Sequence, residues 1–139
     1  MQAPKFIHLR FHSEYSVTDG IVRIDPILHA VMERGGVAIG IADLMNIFGG
    51  LRFYTHALAA GIKPILGCDL KVRNPKDAKL PFRMGVICMD HEGYHSLCVL
   101  LTKAYLTDSD PYRGQVDPAW FDEDGAKGLI GLTGGADGE

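Results

Sequence analysis

VAIGIADLMNIFGGLRFYTHALAAGIKPILGCDL, Val37 to Leu70, decides the fold class. Val37–Ala42 is an uninterrupted apolar run bounded by Gly36 and Asp43. A strand with one wet face would alternate; an unbroken run fits a strand covered on both faces, as in a parallel sheet. Gly49–Gly61 then reads as a helix that stops at Gly61, and Lys63–Val72 as a second strand. Strand, helix, strand is the unit of α/β folds.

The same alternation extends outward. Residues 5–10, in KFIHLRF, read as an opening strand and residues 17–24 as a loop. Residues 25–36 read as a helix, with Asp25 as its cap, Pro26 at the first helical position and Gly35 at its end. Ile27, Leu28, Val31 and Met32 would form its apolar face. Downstream come a polar loop (73–81), a strand (82–89) and an amphipathic helix (93–106) with Leu97, Leu100, Leu101 and Ala104 at helical spacing. A loop (107–115), a short capped helix (117–124) and a last strand (128–133) follow, and the chain ends in the turn after it. The expectation is a largely parallel sheet, with chemistry in the loops at the carboxyl ends of its strands: His8–Asp19, Asp43–Asn46 and Gly67–Asp69. A closed (βα) barrel takes about 250 residues, so this length reads as the first half of one, a piece of a longer protein.

Composition narrows the function classes. The chain has 139 residues, 47% hydrophobic and 22% charged, as in a globular domain with a real core. The net charge is −3, and Lys and Arg are scattered, so a basic DNA-gripping face is not expected. No run is long enough for a membrane span, and the N-terminus lacks the layout of a secretory signal, so the default location is cytoplasmic. Cys68, Cys88 and Cys98 each lie in an apolar run without a C-x-x-C pair and read as reduced packing residues.

Chemistry concentrates in HLRFHSEYSVTDG, His8–Gly20, which holds two histidines, a glutamate, an aspartate and two serines. Together with AIGIADLMNIFGGLRFYTHALAAGIKPILGCDL, DHEGYHSLCVLLTKAY and GLIGLTGG, this stretch resembles the N-terminal PHP domain of bacterial DNA polymerase III alpha subunits. The resemblance runs in order over nearly the whole chain. It implies that residues 1–139 are the N-terminal portion of one PHP domain, the first part of a distorted (βα)7 barrel, with the polymerase domains elsewhere.

Metal-binding PHP domains hold up to three metals with histidines and carboxylates from successive strand ends. Carried over by the resemblance, His8 matches the first ligand and Arg10 replaces the second. His12 matches a further histidine, and Asp19 the aspartate before the glycine. Where the family has T-D-H this chain has Ala42-Asp43-Leu44, so Asp43 stays and Leu44 replaces a ligand. G-x-E becomes Gly67-Cys68-Asp69, Arg83 aligns with a usual histidine and Gly135 with a usual cysteine. Guanidinium has no lone pair to give and carries a permanent charge, and leucine ligates nothing. The pocket is therefore expected to be degenerate, with Arg10 paired to Asp19, Asp43 or Asp69 and no metal held. A residual set of His8, Asp19 and Asp69 could still hold one, and both readings stand at this point.

The resemblance also implies a role. The whole subunit would synthesise DNA on a template with Mg in a polymerase site outside this segment. The segment itself would carry no catalytic residue; it would brace the polymerase and dock the proofreading exonuclease (epsilon) subunit. DNA would be met through other domains, and no membrane is involved. The competing reading is a metal-dependent PHP phosphoesterase acting on pyrophosphate or a 3′ end. A third is a zinc protease, because His91-Glu-Gly-Tyr-His95 fits H-E-x-x-H. That pattern needs mid-helix placement, whereas here it carries Gly93 and falls at an expected helix start. The glycine pairs at 35–36, 49–50 and 134–135 read as turns or helix ends, with an anion cradle as the alternative at Gly49-Gly50, His29 and His56 as surface or boundary residues, and Trp120 and Phe121 as core anchors.

Overall fold

A computed structural model of the protein describes residues 6–77, 79–107, 114–122 and 124–135. Lys5 of the expected first strand, residues 108–113 of the expected loop, Glu123 of the short helix and the turn beyond Gly135 lie outside these. The elements are α1 (Ile24–Glu33), β1 (Ala38–Leu44), α2 (Gly50–Ala59), β2 (Lys63–Val72), β3 (Phe82–Cys88), α3 (His91–Thr107), one 3-10 turn (Pro118–Trp120) and β4 (Leu129–Thr133). The fold is α/β, and the sheet order is β1-β2-β3-β4.

β1 and β2 run parallel, from Ala38 opposite Lys63 to Leu44 opposite Asp69, in keeping with the unbroken apolar run at Val37–Ala42. β3 runs antiparallel to β2, and β4 antiparallel to β3. The largely parallel sheet expected from the alternation is thus corrected to one parallel pair among the named strands. A parallel crossover takes a dozen or more residues, and the link 73–81 is too short for one. After α3 the chain reaches Val116, which sits beside Val72 on the flank of β2, and must cross back to reach β3.

Among the described residues, α1, α2 and α3 lie on one face of the sheet. Ile39 and Ile41 of β1 pack with Ile24, Leu28, Phe53, Ala57 and Ile62 under α1 and α2. Cys68, Leu70, Val72 and Val86 pack with Leu97, Leu100, Leu101 and Ala104 of α3. Full burial of such side chains contributes about 1.5–3 kcal/mol each. Strand alternation then puts Leu44, Asp69, Lys71, Arg83 and Gly85 on the opposite face.

Three local expectations are corrected. Asp25 does not cap α1: Arg23 holds that position without a side-chain bond, and Asp25 turns to α2 instead. Met32 is exposed rather than on the core face of α1, whose buried residues are Ile24 and Leu28. The expected opening strand is not one: residues 6–12 carry no regular element, although they run beside β1. Gly40 N–H donates to His8 O and Ala42 N–H to Phe11 O, so two residues of β1 face a three-residue step. That extra residue breaks the alternation between His8 and Phe11. Among the described residues no helix is long and apolar enough to cross a membrane.

Candidate functional site

Asp69 is the centre of the site. It lies within β2, its side chain is 1% exposed, and it faces away from the helices. Arg10 Nε donates to both its oxygens at 2.8 Å, and Arg10 Nη2 donates to Oδ2 as well. His12 Nε2 lies 2.7 Å from the same Oδ2. The buried carboxylate is thereby matched by a guanidinium on one side and an imidazole on the other. The Asp69 hydrogen bond raises the Arg10 pKa against the opposing effect of burial.

The network continues outward. His12 Nδ1 lies 3.1 Å from Asp19 Oδ1, and Arg83 Nη1 lies 3.7 Å from Asp19 Oδ2. Partial burial pushes the Asp19 carboxyl up, but the Ser16 hydroxyl, His12 and Arg83 outweigh it and hold it below the usual range. Arg10, Asp69, His12, Asp19 and Arg83 form one chain of alternating donors and carboxylates. The His12–Asp69 contact has hydrogen-bond geometry, whereas Nδ1 approaches Asp19 only at ion-pair distance.

Two buried serines shape the loop that carries His12 and Asp19. Ser13 N–H donates to Asp43 Oδ1 at 2.5 Å, and its hydroxyl to Oδ2 at 2.7 Å. Ser16 Oγ accepts the Leu44 N–H at 3.0 Å and donates to Asp19 at 2.6 Å. Burial raises the Asp43 pKa, with the Ser13 bonds pulling the other way. The sequence reading counted these serines without giving them a role. Their spacing, three apart just before the Asp19-Gly20 turn, was the available signal.

Several expected members stand elsewhere. Asp43 is the register partner of Cys68, so it faces the helices and bonds Ser13 rather than Arg10. His8 is exposed with its ring edge-on to Phe6 at 4.6 Å, and no described contact joins it to Asp69. The residues two apart that converge on Asp69 are Arg10 and His12, not His8 and Arg10; the extra residue after His8 is the physical reason. Leu44 is half-buried beside its register partner Asp69 and offers no ligand atom. Gly135 is exposed at φ +65°, and a side chain there would meet open space. Among the described residues, no group of three or more His, Cys, Asp or Glu is arranged to hold a metal ion.

The H-E-x-x-H pattern falls on the first turn of α3, with His91 and His95 exposed. Glu92 pairs with Lys127 at 2.8 Å. Gly93 is required by packing, because a Cβ there would lie 1.9 Å from Gly128 O. Cys68 is buried, whereas Cys88 and Cys98 are only partly so, and all three are free thiols. Burial pushes the Cys88 thiol up to about 11.

A one-sided helix layer over a mixed sheet, with a charged cluster on the other face near the strand ends, describes a partial α/β barrel. The model of the PHP domain family matches residues 8–139, and the chain belongs to that family. The DNA polymerase III subunit alpha of Pasteurella multocida is 39% identical over 141 residues, covering 100% of this chain and 12% of that protein. The subunit alpha of Neisseria meningitidis serogroup A is 41% identical over 140 residues, with the same two coverages. The chain therefore spans about an eighth of the length of these relatives. An amidohydrolase from Chromobacterium violaceum, solved with sulfate and no metal, superposes with a TM-score of 0.55 at 18% identity, over 72% of this chain and 33% of that one.

Proposed function

We propose that this chain is the PHP portion of a replicative DNA polymerase III alpha subunit, with a non-catalytic, bracing role in it. The whole protein would carry out template-directed DNA synthesis in the cytoplasm, using Mg and DNA contacts in domains outside this chain. The PHP portion would stabilise the polymerase body and present a docking surface to the proofreading exonuclease (epsilon) subunit. Identity to alpha subunits along the full length of the chain supports the assignment.

One observation carries the non-catalytic reading. Arg10 occupies the space beside Asp69 where a metal would have to sit, and its bidentate bond uses both carboxylate oxygens. A divalent cation entering there would have to displace a guanidinium and His12 together. Metal activation of water, the basis of a PHP phosphoesterase, would then lack its metal.

Elemental mass spectrometry of untagged protein, purified without chelator, tests this. Much less than one metal per chain, with no hydrolysis of a generic phosphoester, is the expected result. Two or three metals per chain, with hydrolysis abolished by Asp69→Asn, would establish the phosphoesterase reading instead. Co-purification with the exonuclease subunit then tests the docking role separately.

A further inference from the structure

β1 does not run the full length of β2. It ends at Leu44, and the next residue, Met45, is the one non-glycine among the described residues with positive φ, at 55°. A long side chain in that region carries strain of order 1–3 kcal/mol unless its surroundings impose it. Three contacts impose it here. Met45 N–H donates to Asp69 O at 2.8 Å, the last regular bond between the two strands. Lys71 N–H, which a continuing β1 would have accepted with a carbonyl, donates to Met45 Sδ at 3.0 Å. The Met45 carbonyl, turned out of the sheet, accepts the hydroxyl of Tyr105 from α3 at 2.8 Å.

Two residues further along, the flank of β2 is regular again. Val116 N–H donates to Lys71 O and Arg73 N–H to Val116 O, both at 2.8 Å. The β1 side of β2 is therefore shared between β1 and the segment at Val116, with a gap between them at Asp69–Lys71. Met45 is 4% exposed and plugs that gap. Gly114, whose Cβ would lie 3.2 Å from the Tyr105 ring, lets the incoming chain pass over that ring.

We propose that Met45 and Tyr105 are positioning residues for the charged cluster. The left-handed turn at Met45, anchored to α3 by the Tyr105 hydroxyl, closes the gap beside Asp69 and so holds its carboxylate against Arg10 and His12. A thioether and a phenol do here what a strand does elsewhere in the sheet. The proposal concerns how Asp69 is held and does not depend on whether the pocket is catalytic.

The test uses nuclear magnetic resonance on the 139-residue chain, following the Arg10 Nε–Hε signal and the Lys71 amide exchange rate. Met45→Leu keeps the volume and removes the sulfur acceptor; Tyr105→Phe removes only the hydroxyl. The expected result is that Lys71 exchange in Met45→Leu accelerates at least tenfold beyond the mean change of the β2 amides. The Arg10 signal shifts in both variants, while Leu101→Val, a core control on α3, leaves it in place. Met45→Gly, which relieves the positive φ while removing the sulfur, serves if Met45→Leu does not fold, with the same exchange result expected. An unmoved Arg10 signal in the Tyr105 and Met45 variants, or an equal shift in the Leu101 control, would overturn the proposal.

Discussion

Arg10 Nε lies 2.8 Å from each oxygen of Asp69, a residue fifty-nine positions away whose side chain is almost wholly buried. Removing one partner of a buried pair costs more than the pair contributes, because the other charge is left uncompensated. Arg10→Ala should therefore destabilise the chain. The side chain of Arg10 is 53% exposed and His12 still faces Asp69, which reduces the effect to about 2 kcal/mol. Arg10→Ala combined with Asp69→Leu should recover part of that loss. Urea midpoints of the two variants decide it, and a double variant weaker than Arg10→Ala would count against the pairing.

Asp43 and Asp19 should give opposite pH dependences. Asp43 has a raised pKa in the folded state, so its proton is held more tightly there than in the unfolded chain. Its contribution is fully present below the usual carboxylate value of about 3.9 and is lost as pH rises through the folded value. Asp19 is lowered, so its contribution is present above that usual value and lost as pH falls through the folded one. Asp43→Asn can keep the Ser13 N–H bond and offer an amide N–H to the Ser13 hydroxyl, so it should fold and show less loss of stability from pH 4 to 7. Asp43→Ala orphans both Ser13 donors and should cost about 2–4 kcal/mol. Thermal unfolding across pH separates the two.

Most elements follow from local pattern. Val37–Ala42 reads as a strand because its apolar residues are unbroken, and Leu97, Leu100, Leu101 and Ala104 mark the buried face of α3. What sequence hides is parity and competition. One extra residue between His8 and Phe11 moves the convergent pair from 8 and 10 to 10 and 12, and no local signal records it. Asp43 and Leu44 are adjacent, yet a strand turns them to opposite faces, so a motif read as one pocket divides between core and site. Asp25 is a good cap by composition, but Arg52 and His56 from α2 compete for its carboxylate and take it. The direction of β3 and β4 depends on where the chain passes after α3, which is a property of the assembled sheet.

That competition gives a prediction for the α1–α2 contact. His56 Nδ1 lies 2.5 Å from Asp25 Oδ1, and Arg52 Nη2 donates to Oδ2 at 2.7 Å. The His56 bond, then the Arg52 bond, holds the Asp25 carboxyl below its usual range. Its stabilising effect is present above about pH 3.9 and lost as pH falls through the lower folded value. Asp25→Asn should lower the melting temperature at pH 7 and change it little at pH 2. In 1 M salt, where the screening length falls to about 3 Å, the pH 7 effect should shrink, since the pair is exposed. An unchanged effect in high salt would show that the contact acts through packing rather than charge.

Gly93 separates helix propensity from packing, and it also tests the H-E-x-x-H pattern. In an isolated helix, Gly→Ala favours folding by about 1 kcal/mol. Here the added Cβ would lie 1.9 Å from Gly128 O, a backbone atom at the entry to β4. Gly128 is itself fixed at φ +71°, and a Cβ there would meet Gly93 N at 2.4 Å. The two glycines are the contact between the start of α3 and the entry to β4. Gly93→Ala should therefore cost about 1–3 kcal/mol despite its better propensity, the range for overpacking. His91→Ala, by contrast, removes an exposed ring stacked on Tyr94 and should move stability by less than about 0.5 kcal/mol. In a working zinc motif the order of sensitivity would be reversed: the histidine would be indispensable for bound metal, and the free position between the glutamate and the second histidine would tolerate alanine. Denaturation of both variants, with metal content measured on each, distinguishes a packing glycine from a metal-binding helix.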